Sequence, residues 1–444
     1  MIWAKILPME LQRIVRDNTG TGWGIKAGTV YMAFATGVSA LLMIGFQMMA
    51  VRLLKPAQYG SVSVLYAAVL ILFPFTGQTF ELAMARYIPK HEANGEDSLA
   101  VMRKILFCQA STMFCLVGIA LLFRDLITEN LFPESPSFFG ILLLSTVVLG
   151  FELGIRGILR GLREFGSYGT LGIVLNFARI AFLLIFVNVM NLGLTGAGLS
   201  ILLAPLASLL LWPVWYPRIR ARLKGKSPVT PVTIRNLLKF LAPIMPIWGC
   251  AAFFYSIGPV WIKSLGGVSA NELAGLFLIA TLVTRLPLQL SQALFANLLP
   301  NMSRLSAQDD WRKIKYYITK SYMIFVPLLL AAIVGTYLLG PLAISLFYPA
   351  FSYSRQGLTL LMVGTAAVVL AGTETQFLLS RSKGSSVLVA WLLGCLVLTG
   401  VVLLGSWSIL FRLELGYVLG GLLIWFFQAG SARRVLRGMA RVHR

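Results

Sequence analysis

The chain has 444 residues, of which 58% are hydrophobic and only 12% charged, a balance that excludes an ordinary water-soluble domain. Its 38 Lys and Arg outnumber 16 Asp and Glu, giving a formal net charge of +22. In a soluble protein that surplus would suggest nucleic acid, but here most of it sits in short gaps and tails beside an apolar body, where it marks a membrane surface instead.

Residues 1–26 open the chain without a cleavable signal. Ile2, Ile6, Met9, Ile14 and Val15 interleave with Lys5, Arg13 and Arg16, which predicts an amphipathic cytoplasmic segment lying along the inner membrane surface. Twelve apolar stretches of spanning length follow, at 27–49, 61–82, 105–123, 138–159, 169–189, 195–216, 240–262, 272–298, 318–340, 356–379, 386–405 and 412–428. Basic residues crowd every second gap: Lys5 to Lys26, Arg86 to Lys104, Arg160 with Arg163, Arg218 to Lys239, Arg304 to Lys315, Arg381 with Lys383, and Arg433 to Arg444. The alternate gaps hold only Arg52, Lys55, Arg124, Lys263, Arg355 and Arg412. The positive-inside rule therefore places both termini in the cytoplasm and the protein in the cell (inner) membrane. Trp212 and Trp215 fall near the inner interface, and Trp261 and Trp407 near the outer one.

Charges within spans are costly, at least about 2.5–3.5 kcal/mol each near the bilayer centre, so each needs a partner, water or a function. In the fourth span Gly150, Gly154, Gly157 and Gly161 share one face suited to close helix contact, and Glu152, Arg156 and Arg163 lie roughly opposite. Glu152 and Arg156 are spaced to neutralise each other, or they look into a cavity. Arg179, with Asn176 on the same face, is central in the fifth span, and Arg285 is similarly central in the eighth. Arg285 belongs to a polar stripe with Thr281, Gln289 and Gln292, on a helix that Pro287 is expected to kink. Both arginines read either as structural bonds to neighbouring helices or as cavity cations for an anionic substrate. Glu374, in the tenth span, reads as an ion-coupling carboxylate or as a partner of Arg285 or Lys320. Glu81, Lys320 and Glu414 lie near span ends and are expected to be solvated.

The long inner loop from Arg218 to Lys239 divides the chain into an N-lobe of six helices (27–216), a cytoplasmic linker (217–239), a C-lobe of six helices (240–428) and a basic cytoplasmic tail (429–444). An even number of spans per half predicts parallel repeats about an axis along the membrane normal. An internal echo agrees: Gln58-Tyr59-Gly60 leads the second span and Leu273-Ala274-Gly275 leads the eighth. The fold class is thus an all-α polytopic membrane protein of about twelve helices in two lobes. The outer gaps are short, the longest running from Arg124 to Pro136, which leaves no room for the catalytic domain of a membrane glycan polymerase or ligase. His91 and His443 form no zinc or triad pattern, and Gly225-Lys226-Ser227 lacks the upstream glycine of a phosphate-binding loop. Cys108, Cys115, Cys250 and Cys395 lie within apolar spans and read as packing residues, with no metal site.

Two segments add specificity: Val51-Arg52-Leu53-Leu54-Lys55-Pro56-Ala57-Gln58-Tyr59-Gly60 after the first span and Ala85-Arg86-Tyr87-Ile88-Pro89-Lys90 after the second. With Leu299-Pro300-Asn301-Met302-Ser303, the chain resembles the O-antigen and exopolysaccharide repeat-unit flippases of the multidrug/oligosaccharidyl-lipid/polysaccharide exporter superfamily. The resemblance implies a V-shaped pair of six-helix bundles that flips a polyprenyl-diphosphate-linked glycan from the inner to the outer leaflet by alternating access. It also implies a cationic cavity, for which Arg179 and Arg285, then Arg156, with Asn176, Gln289 and Gln292, are the positions available. No cofactor is expected. Glu374 and Glu152 are the candidates for coupling to a proton or sodium gradient, and polysaccharide polymerase or ligase machinery would be the partner. The first span lacks any charge, unlike the lipid II flippases and many drug antiporters of the superfamily, which makes a drug or metabolite antiporter and a lipid II flippase the alternatives.

Overall fold

The computed structural model describes residues 23–93, 96–223, 233–308, 310–347 and 352–442. Most of the amphipathic segment expected over 1–26, and residues 224–232 of the linker, lie outside them. Among the described residues the structure is helical, with no strand. Ten helices are long and apolar enough to cross a membrane, or up to eleven if a bent pair counts as one span.

The first half comprises α1 (Trp23–Leu53), α2 (Pro56–Phe73), α3 (Thr79–Ala93), α4 (Ser98–Leu122), α5 (Arg124–Leu131), α6 (Ser137–Gly161), α7 (Phe165–Leu183), α8 (Gly193–Leu209) and α9 (Trp212–Leu223). The second comprises α10 (Ile234–Gly266), α11 (Asn271–Thr284), α12 (Leu286–Ala307), α13 (Trp311–Phe347), α14 (Arg355–Ser380), α15 (Gly384–Leu404) and α16 (Ile409–Val442). The predicted spans recur with different ends, because backbone hydrogen bonding carries a helix past the apolar window that reveals it. The second span is one rod from Pro56 to Glu92, in which a π-helical turn at Pro74–Gln78 joins α2 to α3. The sixth is bent by 47° between α8 and α9, where Pro213 has no N–H to give to the turn before it. The eighth is broken: Arg285 leaves helical geometry (φ −92°, ψ 1°), two residues before Pro287. The basic tail continues α16 as helix to Val442, and the longest outer gap holds α5.

Helix pairing repeats between the halves. In the first, α1 packs on α7, α7 on α8, α3 on α6 and α6 on α8; in the second, α10 packs on α15, α15 on α16, α12 on α14 and α14 on α16. These are the same pairings once the second half is superimposed span for span, as two parallel repeats require. The second and eighth spans, equivalent in the repeat, join the halves: α2 packs along both α10 and α11. Below their breaks each returns to its own half, α3 to α6 and α12 to α14. The repeat is not obeyed across the junction. α10 lies along α2, whereas its counterpart α1 makes no comparable contact with α11 among the described residues.

The glycine face of α6 does what its spacing predicts. A Cβ at Gly157 would stand 2.9 Å from the Cα of Glu81, and one at Gly161 2.9 Å from the Met84 carbonyl, so α3 and α6 approach backbone to backbone. Higher on the same face, the Gln109 amide donates to the Gly150 carbonyl at 2.6 Å and to the Thr76 carbonyl at 2.7 Å, satisfying an acceptor in the π-helical turn. Gly157→Val should therefore lower the melting temperature of the detergent-solubilised protein, overpacking of this kind costing about 1–3 kcal/mol. Gly37→Ala, whose Cβ would meet nothing within 4 Å, should leave it unchanged in the same fluorescence-detected unfolding experiment.

Candidate functional site

Arg179 projects from the C-terminal turns of α7, within the span Phe165–Val189, into the first lobe and is only 7% exposed. Its guanidinium lies over the rings of Phe46 on α1 (5.6 Å) and Tyr66 on α2 (5.7 Å). One terminal nitrogen donates to Asn176 Oδ1 at 3.4 Å, and Nε has no hydrogen-bond partner. Asn176 is itself turned back, its Nδ2 donating to the Gly172 carbonyl at 3.0 Å.

Arg285 sits at the break between α11 and α12 in a matching environment. Its guanidinium lies over Tyr255 on α10 (5.4 Å) and Tyr417 on α16 (5.8 Å), and its Nε is likewise buried without a partner. Neither arginine makes an ion pair among the described residues. Each lobe thus holds one deep guanidinium positioned by two aromatic faces, an attraction of about 0.5–2 kcal/mol per ring that offsets part of the desolvation without neutralising the charge.

The break divides the polar stripe read along the eighth span. Thr281 is buried in α11 with its hydroxyl bonded to the Leu278 carbonyl at 2.8 Å, so it is occupied within its own helix. Gln289 is half-buried in the first turns of α12, its backbone N–H donating to the Arg285 carbonyl at 3.1 Å. Gln292 lies in α12, and its side chain is outside the described residues.

The carboxylates are consumed nearby. Glu152 is fully buried and accepts from Arg156 Nε, four residues on, so the neutralised pair is what the structure forms. The Arg156 guanidinium also lies over the Tyr168 ring at 5.6 Å, facing α7 rather than lipid. Glu81 is not solvated as its place near a span end suggested. Because α3 runs on beyond it, Glu81 is 5% exposed and accepts from Arg160 at 2.9 Å and from the Tyr168 hydroxyl at 3.0 Å. Glu414 is corrected in the same way: it is also 5% exposed and takes the Tyr353 hydroxyl at 2.7 Å. Lys320 is exposed, as expected, with its ammonium 5.8 Å from the Tyr316 ring.

Glu374 pairs with neither Arg285 nor Lys320. Buried in α14, it accepts a hydrogen bond from the Tyr322 hydroxyl, which in turn accepts from Trp425 Nε1 at 2.7 Å. Its second oxygen has no partner. On the very next residue, Thr375 donates to Gln428 Oε1 at 2.6 Å. The side chains hydrogen-bonded around this carboxyl are neutral, and the Arg433 charge acts on it from further off.

One cluster was invisible to sequence reasoning. Lys263, read as an outer-gap residue, is completely buried, and its ammonium donates to Glu134 Oε1 at 2.5 Å and to Asn271 Oδ1 at 2.7 Å. Asn271 Nδ2 completes the triangle on Glu134 Oε1 at 3.0 Å. Glu134 precedes α6, whereas Lys263 and Asn271 flank the α10–α11 turn, so this latch ties one lobe to the other. Beside it α2 and α11 cross without spacing. A Cβ at Gly60 would fall 1.8 Å from the Asn271 carbonyl oxygen, and one at Gly275 would fall 2.7 Å from the Tyr59 ring. The two echo motifs therefore meet each other. The available signal was that echo, which marked Gly60 and Gly275 as equivalent positions.

A family model described as polysaccharide biosynthesis protein matches residues 25–306. No curated protein matches the chain. Solved structures share its fold. A single-substitution mutant of the MATE transporter VcmN from Vibrio cholerae is 15% identical, with 94% of this chain and 98% of that one covered and a TM-score of 0.64. An outward-facing multidrug resistance MATE family transporter of the MOP superfamily is 16% identical, with 94% and 97% covered and a TM-score of 0.67. A MOP superfamily transporter from Pyrococcus furiosus, for which a reversed polarity of the binding pocket suggests a different function, gives the same identity and TM-score, 16% and 0.67, with 94% and 97% covered. The likeness extends over both halves and shows that this chain shares the fold of these proteins.

The Glu152–Arg156 pair yields a direct test of what holds the first lobe's polar core. Arg156→Met should destabilise the protein by about 3–5 kcal/mol, the cost of stranding a buried carboxylate, whereas Glu152→Gln combined with Arg156→Met should recover most of that loss. Denaturant unfolding in detergent of the single and double variants measures both.

Proposed function

The chain belongs to the polysaccharide biosynthesis protein family, and on that premise we propose that it is a flippase that moves a polyprenyl-diphosphate-linked oligosaccharide from the inner to the outer leaflet by alternating access, for cell-surface polysaccharide assembly. The observation that carries this reading is the matched pair of deep guanidiniums, Arg179 and Arg285, one per lobe and neither in an ion pair among the described residues. A guanidinium in a low-dielectric cavity offers bidentate, charge-assisted bonds to phosphate oxygens, and an unpartnered Nε is one prong of that fork. Aromatic faces hold each fork in place before the ligand arrives. They also suit sugar rings, whose C–H faces pack on aromatic surfaces.

The rest of the cycle follows from the helix junction. The latch of Lys263, Glu134 and Asn271 would close the end that the positive-inside rule places outside. On the flank where α1 and α11 make no comparable contact, the polyprenyl tail could remain in lipid while the head group occupies the cavity. Carrying negative charge outward is favoured by an inside-negative potential, by about 2.3 kcal/mol per charge per 100 mV. Glu152 is already neutralised by Arg156, which leaves Glu374 as the better candidate for coupling to a proton or sodium gradient. A polymerase or ligase would be the consumer of the product.

One observation favours a second reading, a cation-coupled drug antiporter: Glu374 is a buried carboxyl with no basic partner at hydrogen-bonding distance, the kind of group that binds a proton or cation in exchange for cargo. A leaflet-restricted glycan probe separates the two. Arg179→Ala and Arg285→Ala should each lower outer-leaflet lipid-linked glycan at least ten-fold and accumulate it facing the cytoplasm, with membrane insertion unchanged; wild-type export by both variants removes the cavity assignment. Unchanged glycan sidedness together with loss of cationic dye efflux in Glu374→Gln would establish the antiporter instead.

The latch is tested separately. Burial pushes the Glu134 carboxyl up, but hydrogen bonds from Lys263, its own backbone and Asn271, with the Lys263 charge, outweigh this and hold it below the ordinary 4.5. A carboxyl depressed in the closed form stabilises that form above 4.5, and the contribution is lost as pH falls through its lowered value. In a background free of native cysteines, Tyr59→Cys should react slowly with a membrane-impermeant thiol reagent at pH 7. Adding Lys263→Met should speed labelling about ten-fold, as a loss of about 1.4 kcal/mol of closure would.

A further inference from the structure

A cavity of about 890 Å³ opens on the flank where α10 lies along α2, and it is lined almost wholly by apolar side chains from both lobes. Phe107 and Ser111 of α4 form one wall, and Leu238, Ala242 and Pro246 of α10 the other, with Leu396 of α15 above. The helices that wall it are membrane spans, so the cleft lies within the bilayer. Its volume is within the range of small-molecule pockets, about 300–1,000 Å³.

Charge gathers at one mouth of this cleft. Arg235 is seven residues before Ala242 and three before Leu238, which puts it near the cleft-lining face of α10, at the end of the cleft that Ile234 lines. Lys239 stands at the edge of that face. On the facing helix, Lys104 continues the cleft-lining side of α4 and Arg103 stands beside it, four residues before Phe107. Arg103, Arg235 and Lys239 are exposed. Of the acids at this end, Glu92 pairs with Arg222 at 2.8 Å, Asp97 accepts from the α4 backbone at 2.9 Å, and Glu96 meets His91.

We infer that this cleft is a binding site for an anionic phospholipid of the inner leaflet, with the acyl chains in the apolar slot and the phosphate on Arg103, Arg235 and Lys239. An apolar slot of bilayer depth beside three exposed cations is complementary to that ligand. The glycan carrier is the less suited occupant, because the packing of α10 on α2 and α3 closes the cleft off from the two deep arginines. That seal includes the Tyr87 and Phe240 rings edge to face at 5.9 Å, Arg86 over Phe240 at 4.5 Å, and Phe75 filling the space beside Gly249. A lipid seated here touches α4 of one lobe and α10 of the other, so its occupancy stabilises their present arrangement by mass action.

The test is native mass spectrometry of the purified full-length protein with phosphatidylglycerol, phosphatidylcholine and undecaprenyl phosphate added separately and in competition. Phosphatidylglycerol should be retained at least ten-fold more than phosphatidylcholine and raise the melting temperature in proportion to its concentration. The triple substitution Arg103→Gln, Arg235→Gln, Lys239→Gln should abolish that preference, and Ser111→Trp, which plugs the slot while leaving the cations, should reduce retention as well. Equal retention of the two phospholipids, or wild-type retention by either variant, overturns the site. Undecaprenyl phosphate displacing phosphatidylglycerol in the wild type but not in Ser111→Trp would reassign the cleft to the glycan carrier.

Discussion

An ionised group placed in hydrocarbon must find a counter-charge, a set of hydrogen bonds or a ligand, and the interior of this protein is arranged by that requirement. Glu81 and Glu414 each meet an arginine or a phenol from another segment, which ties the two segments together, and Glu152 meets Arg156 one turn on in its own helix. Lys263 meets Glu134 across the lobe boundary. Once these pairs are drawn, Arg179 and Arg285 are left with aromatic faces in place of an anion. Their isolation is meaningful only because the carboxylates around them are already taken.

Close backbone contact is the second ordering device. Between apolar helices in lipid there is no hydrophobic drive, so packing must come from surface fit. The α6 glycines let α3 approach within the first lobe, and Gly60 with Gly275 do the same between lobes. The same residue type therefore builds one permanent contact and one that an alternating cycle would have to break. The difference lies in what surrounds each: the first is reinforced by the Glu81 and Gln109 hydrogen bonds, the second by a single ion-pair triangle at the rim.

Much of the architecture was legible because a spanning helix needs an uninterrupted apolar run, and such runs stand out at single-residue resolution. The break in the eighth span was legible in Pro287, and the repeat in the echo of Gln58-Tyr59-Gly60 with Leu273-Ala274-Gly275. The burial of Glu81 was not, since hydropathy sees where apolarity ends and not where hydrogen bonding ends, and α3 runs to Ala93. The Lys263–Glu134 pair was beyond reach, because its members are 129 residues apart and neither segment looks unusual alone. The partner of Glu374 was missed for a related reason: a search for a cation overlooks a tyrosine, yet Tyr322 is what the fold supplies.

The two interruptions at Pro74–Gln78 and Arg285 sit midway along equivalent helices, and at each the helix shifts its main packing from the opposite lobe to its own. Each helix is therefore a jointed limb, its far half clasping the opposite lobe and its near half rooted in its own. A joint of this kind lets the clasp be released while the roots stay packed, so the molecule can exchange one open face for the other without dissolving either core. The flexure is written into covalent geometry, by a proline at each joint, and needs no soft or poorly packed region to supply it.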